Sequence, residues 1–293
     1  MARLSNNARG ALFMVGSMTA FTLNDACLKA MGDEVSLMQA LFMRGVAVSL
    51  FLGLAVLMQG GLRLGSVRGD HKRIAVRLVA EVAAAVLFLT ALFNSPIANV
   101  VAILQALPLA LTLAAALFLG ERVGWRRYLA IFVGLAGVLL IVRPGGEGFT
   151  VYSVYALLAV GAVVVRDLVT RRISRAVPTM SIAFITSVGI TAFAGLVSLT
   201  GDWVELSPLA WWQLAGSAVS IFAAYTFSVA TMRVGDVGFV APFRYTSLLV
   251  ALILGWVAFG EWPDGLTLLG SAVVVATGLF TLWRERRLLT RSQ

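Results

Sequence analysis

Five places in this sequence set ionisable side chains inside long apolar runs: Asp25, Arg44, Glu81, the pair Arg166-Asp167, and Arg244. A charged group at the centre of an isolated membrane-spanning helix costs about 2.5–3.5 kcal/mol, so each of these needs a partner or a cavity. A buried guanidinium can grip a carboxylate through two parallel N–H donors, and a carboxylate alone in an apolar run can carry a proton or meet an ammonium group. Structural roles compete with these. Arg44 and Arg244 could bond helix-end carbonyls, Asp25 could pair with Lys29 four residues on, and Arg166 and Asp167 sit close enough to the end of their run to snorkel.

Two of the runs also hold neutral polar groups. One contains Asn99 and Gln105 between Pro96 and Pro108, and the other Pro242, Arg244, Tyr245, Thr246 and Ser247. Proline frees backbone groups for a ligand where it interrupts a membrane helix. Tyr225 adds an amphipathic ring in a further run, equally at home as packing. The candidate substrate contacts are therefore Gln105, Tyr245, Arg244, Glu81, Asn99, Tyr225 and Arg44. A ligand suited to them is a zwitterion with an apolar side chain: its carboxylate on Arg244 or a helix N-terminus, its ammonium on Glu81, its side chain against aromatic rings.

The elements that must position these groups are dictated by composition. Of 293 residues 60% are hydrophobic and 13% charged, and the mean hydropathy is +0.93. Soluble domains are roughly 45–50% apolar and about 25% charged, so the bilayer is the natural solvent and nearly every span must be helical. The net charge of +9 lies in short loops between apolar runs, which argues for membrane topology and against nucleic acid. Cys27 is the single cysteine and His71, among Arg68, Lys72 and Arg73, reads as a solvated loop residue. The sequence holds no G-x-x-x-x-G-K-[ST] phosphate cradle and no H-E-x-x-H, which weighs against an ATP-driven pump and an intramembrane enzyme. No cofactor or metal is expected. The apolar stretch after Arg3 and Arg9 runs on to Asn24-Asp25 with no Ala-x-Ala site and reads as a retained first helix.

Breaks at Gly, Pro and charge clusters give ten spans, so both termini lie on one side. With that side inside, 18 of the 23 Lys and Arg fall in internal segments, from Arg3 and Arg9 to Arg63, Arg122, Arg175, Arg233 and Arg291, and only Lys29 and Arg143 fall outside. That bias predicts cytoplasmic termini in an inner (plasma) membrane.

The Pro144-Gly145-Gly146-Glu147-Gly148 segment divides the spans five and five, and an odd number per half would set the halves in opposite orientations. At an offset of 140, Leu-Phe-Leu-Gly-Glu at 117–121 falls on Val-Ala-Phe-Gly-Glu at 257–261, and Gln105 on Tyr245. Residues 91–143 match 231–283 at only 8 of 53 positions, so placement of the Gly-Glu pairs carries the repeat more than identity does. At an offset of 142, Asp25 falls on Asp167, Lys29 on Arg171 and Gly53 on Gly195, whereas Arg44 meets Thr186. Glu121 and Glu261 are expected to cap the last helix of each half, and Gly16, Ala20, Gly134 and Gly137 to allow close helix packing.

Ten spans, two five-helix halves, a Gly-Glu pair before the last helix of each and Phe42-Met43-Arg44 in the second helix resemble the drug/metabolite transporter superfamily of the EamA type, most closely its bacterial aromatic amino-acid exporters. The resemblance covers nearly the whole chain. It implies an all-α membrane protein of two inverted five-helix repeats, residues 8–143 and 151–285, joined by 144–150 and followed by a cytoplasmic tail at 286–293. It also implies a secondary transporter exporting small metabolites, amino acids among them, with lipid as its surroundings. A proton-coupled exporter of hydrophobic cations, with Glu81 as proton carrier, is the alternative. On either reading the substrate is expected between the halves, where the fourth and ninth helices face each other.

Overall fold

The computed structural model describes residues 5–62, 68–121, 123–146, 149–174, 177–234 and 237–289. Arg3, Arg63, Arg122, Glu147, Arg175 and Arg291, used above for topology, lie outside the described residues, as does the end of the tail at 290–293. Among the described residues ten helices are long and apolar enough to cross a bilayer. They are α1 (Asn6–Met31), α2 (Leu37–Met58), α3 (His71–Asn94), α4 (Ile97–Leu119), α5 (Trp125–Val142), α6 (Val151–Arg171), α7 (Thr179–Ser198), α8 (Pro208–Val234), α9 (Ala241–Phe259) and α10 (Gly265–Leu289). At 1.5 Å per residue, about 20 residues cover the roughly 30 Å of hydrocarbon. No strand occurs among the described residues.

Local chemistry fixes the helix ends. Ser5, Ser36 and Thr150 each accept the N–H three residues on at the start of α1, α2 and α6. Gly120 and Gly260 close α4 and α9 in the left-handed region, at φ of 69° and 64°. The following residues donate back alike, Glu121 N–H to the Ala115 carbonyl (3.3 Å) and Glu261 N–H to that of Gly255 (2.8 Å). The Gly-Glu alignment is thus the same turn built twice. Two spans are irregular. α4 is interrupted after Leu104 and resumes at Leu107, beside Pro108, while α9 opens with a 3-10 segment, Ala241–Tyr245, containing Pro242.

Helix pairing exchanges the two halves. α1 packs on α8 as α6 packs on α3, and α1 meets α9 as α6 meets α4; α2 pairs with α7, α4 with α9 and α5 with α10. Side chains follow suit. Phe184 lies against Gly53 and Phe42 against Gly195, each pair being the other's image at the 142 offset. Gly137 packs on Val273 and Gly270, and Gly16 on Phe227, the close contacts that small residues permit.

Packing differs sharply along the bundle axis. Toward the face opposite the termini, a continuous core joins Leu28, Met31, Leu41, Leu92, Ile97 and Ile103, all buried. Toward the face carrying the termini, the buried apolar cluster is small: Ile74, Ile173, Val177 and Ile182. Leu50, Leu54, Leu57, Val79 and Phe132 point outward and supply part of the apolar surface a bilayer requires.

Candidate substrate cavity

A cavity of about 870 Å³ occupies the loosely packed end, between α2 and α3 of the first half and α6, α7 and α8 of the second. It reaches Gln59, Ser174 and Arg233, exposed residues at helix ends on the terminus face, and runs inward to Leu41 and Arg44. Four arginines line it, Arg44, Arg77, Arg166 and Arg233, against two carboxylates, Glu81 and Asp167.

α3 places Arg77 and Glu81 one turn apart, 3.7 Å between charged atoms, so both face α6. From α6, Arg166 reaches Glu81 (3.1 Å) and its own neighbour Asp167 (2.7 Å). Arg77 donates from Nε to the Thr170 hydroxyl (2.9 Å) and from Nη1 to Thr186. Thr186 is the position equivalent to Arg44, so α3 brings a guanidinium to the place where the second half has none. Depth in the span does not reveal this cross-half network of Arg166 and Asp167. Their partner, Glu81, stands 85 residues away.

Deeper in, Arg44 is held only weakly. Its Nη1 donates to Asn24 Oδ1 at 3.5 Å, and its Nε has no hydrogen-bond partner among the described residues. Asn24 in turn accepts from Ser217 (2.8 Å) and donates to Asp25 (2.9 Å), which attracts the Arg44 guanidinium. Asp25 therefore belongs to this network and not to Lys29, which pairs elsewhere. A buried N–H left over in a cavity wall is a donor ready for a ligand. Above it sit the rings of Tyr225, edge-on to Phe21 at 5.6 Å, and of Phe51, edge-on to Phe222 at 4.2 Å.

Of the seven residues singled out in the sequence, Arg44, Glu81 and Tyr225 line this cavity. The other four, Asn99 and Gln105 of α4 and Arg244 and Tyr245 of α9, are not among its lining residues. Gln105 donates to the Ser247 hydroxyl (2.9 Å), while Asn99 Oδ1 and the Tyr245 hydroxyl have no hydrogen-bond partner among the described residues. Tyr245 is buried against Gly278 of α10. Arg244, expected in mid-span, is exposed in the 3-10 segment with which α9 begins.

The Gly-Glu carboxylates do not cap the helices that follow them. Glu261 accepts the Ile97 N–H at the start of α4 (3.0 Å), Asp264 caps α10 through the Thr267 N–H (2.9 Å), and Glu121 pairs with Arg171 (3.0 Å). Two loop carboxylates are tuned electrostatically. The Ser174 N–H and then Arg73 hold Asp70 below the usual carboxylate range, and at Asp264 the Thr267 N–H and Arg143 together outweigh burial and do the same.

The EamA-like transporter family profile matches residues 8–143 and again 151–283, one copy over each half. The chain belongs to the EamA-like transporter family. Its relatives include an S-adenosylmethionine uptake transporter of Rickettsia conorii, 26% identical over 67% of each chain. A riboflavin transporter of Brucella anthropi is 28% identical over 81% of this chain and 85% of its own. The pseudopaline exporter CntI of Pseudomonas aeruginosa is 26% identical over 91% and 93%. A crystal structure with 20% identity superposes at a TM-score of 0.64 over 95% of this chain and 98% of that one, a likeness of fold. This EamA-like chain is thus a multi-pass membrane transport protein, and its cavity lies between its two family units.

Proposed function

We propose that the protein is a secondary transporter of the bacterial inner membrane that exports small carboxylate-bearing metabolites, amino acids among them, by alternating access between two inverted halves. The observation that carries this is the cavity itself: between the halves, open at one face and packed shut at the other, with a guanidinium N–H of Arg44 in its wall that has no partner among the described residues. The bias of Lys and Arg supports an open face in the cytoplasm, where an exporter loads. A carboxylate would sit on Arg44, an ammonium group on Glu81 or Asp167, and an apolar part against Tyr225 and Phe51. The four-to-two excess of arginine over carboxylate disfavours a hydrophobic cation, the alternative ligand. Two relatives, named for S-adenosylmethionine and pseudopaline, support a metabolite substrate, and the Rickettsia protein, named for uptake, makes direction a separate measurement.

Purified protein in liposomes, offered radiolabelled L-tryptophan, L-leucine, S-adenosylmethionine, riboflavin or tetraphenylphosphonium with and without a proton gradient, tests the reading. Carboxylate-bearing zwitterions should cross and tetraphenylphosphonium should not. Transport of tetraphenylphosphonium alone would overturn the substrate class.

A further inference from the structure

Lys29 and Glu261 meet at the face opposite the termini in a way that no role in binding the substrate explains. Lys29 Nζ lies 2.9 Å from Glu261 Oε1, donates to the backbone carbonyls of Leu92 (3.3 Å) and Ser95, and sits over the Phe259 ring at 5.4 Å. The second carboxylate oxygen of Glu261 accepts the Ile97 N–H (3.0 Å). One ion pair therefore ties α1, the end of α3 and the start of α4, all of the first half, to the end of α9 in the second. Its side chains are only 9% and 24% exposed.

The repeat supplies a counterpart at the other face. Lys29 corresponds to Arg171 at the 142 offset and Glu261 to Glu121 at 140, and these two also meet, at 3.0 Å. Here the side chains are 48% and 51% exposed, and the pair joins only α6 and the end of α4. Equivalent base and acid positions thus make a largely buried four-element tie where the bundle is closed and a solvated two-element contact where it is open. Surface pairs contribute little to stability, whereas breaking one side of a buried pair is strongly destabilising. Only the buried member can hold a conformation.

We propose that Lys29 and Glu261 are the gate that keeps the face opposite the termini shut in this conformation, and that Arg171 and Glu121 form the reciprocal gate when the protein opens to that face. The two pairs exchange burial as the halves exchange roles, so each half contributes one base and one acid to the pair of gates. This rests on the alternating-access reading above.

The test reads gate opening directly, without a substrate. In a Cys27→Ala background, Leu41→Cys and Ala183→Cys are equivalent reporters at the 142 offset, the first buried at the inner end of the cavity beneath the closed face and the second in its wall. A membrane-impermeant maleimide is added to the face opposite the termini for the first and to the terminus face for the second. Glu261→Gln, which keeps an acceptor for the Ile97 N–H and loses the charge, should raise labelling of Leu41→Cys at least about fivefold and lower that of Ala183→Cys. Lys29→Gln should do the same and Lys29→Arg should restore the starting level, while Glu121→Gln should produce no rise at Leu41→Cys. Should Lys29→Gln fail to insert, Glu261→Gln decides alone. Unchanged labelling of Leu41→Cys in Glu261→Gln, or an equal rise in Glu121→Gln, would overturn the gate. Labelling that shifts as expected in a protein that transports none of the panel would leave the gate standing and remove the proposed substrates.

Discussion

Two groups of polar residues lie within the bundle, and the protein treats them differently. In the cavity between α2, α3, α6, α7 and α8, charged groups from opposite halves face each other with hydrogen-bonding capacity to spare. Between α4 and α9, which pack directly on each other, Gln105 donates to the Ser247 hydroxyl. A spare donor beside open volume points to a ligand, whereas Gln105 and Ser247 spend their groups on each other and hold two helices in register, and the partnerless Asn99 Oδ1 and Tyr245 hydroxyl lie away from the cavity. Polar content within a membrane span does not by itself distinguish the two.

The sharpest way to break this contrast is to remove the donor in the cavity. Arg44→Gln should cut transport of carboxylate substrates roughly ten- to a hundredfold, the loss of a charge-assisted hydrogen bond worth about 1.5–3 kcal/mol, with the protein still monodisperse. Initial rates in liposomes check this. The α4–α9 interface should respond in stability instead. Gln105→Ala should lower thermal stability by about 1 kcal/mol and leave transport within about twofold, and Tyr245→Phe, which deletes a hydroxyl without a partner, should be neutral or stabilising. Selectivity altered in either variant would move the substrate site to α4 and α9.

The smallest effect concerns the rim of the cavity, where Asp70 holds the Ser174 N–H at 2.9 Å and pairs with Arg73 at 2.6 Å, joining the α2–α3 loop to the segment after α6. Because folding lowers the affinity of Asp70 for its proton, its contribution to stability is present above the ordinary carboxylate range and is lost as pH falls through the folded value. Asp70→Asn should therefore destabilise slightly at neutral pH, and the difference from the parent should shrink in acid. Thermal unfolding at a series of pH values measures it.

Much of the fold was legible in the sequence. Apolar run lengths gave the ten spans, and the Gly-Glu pairs marked two αL turns that the structure builds with the same hydrogen bonds. Arg44 and Glu81 stand out as charges inside apolar runs and Tyr225 as an amphipathic ring, and all three line the cavity. Arg77 and Arg166 were hidden because their significance lies in contacts across the halves, to Thr186 and to Glu81, which no local spacing encodes. Arg244 looked deep because a 3-10 opening cannot be told from helix interior by hydropathy, and Lys29 looked committed to Asp25 because four-residue spacing is visible while a partner 232 positions away is not.

The account rests most on the cavity holding the substrate. A cryo-EM structure of the protein bound to the best-transported zwitterion of the panel examines that claim directly. It should show ligand density between the halves, with a carboxylate within hydrogen-bonding distance of the Arg44 guanidinium and the apolar part beside Tyr225 and Phe51. Density lodged instead between α4 and α9, against Asn99 and Gln105, with the cavity holding water alone, would contradict it.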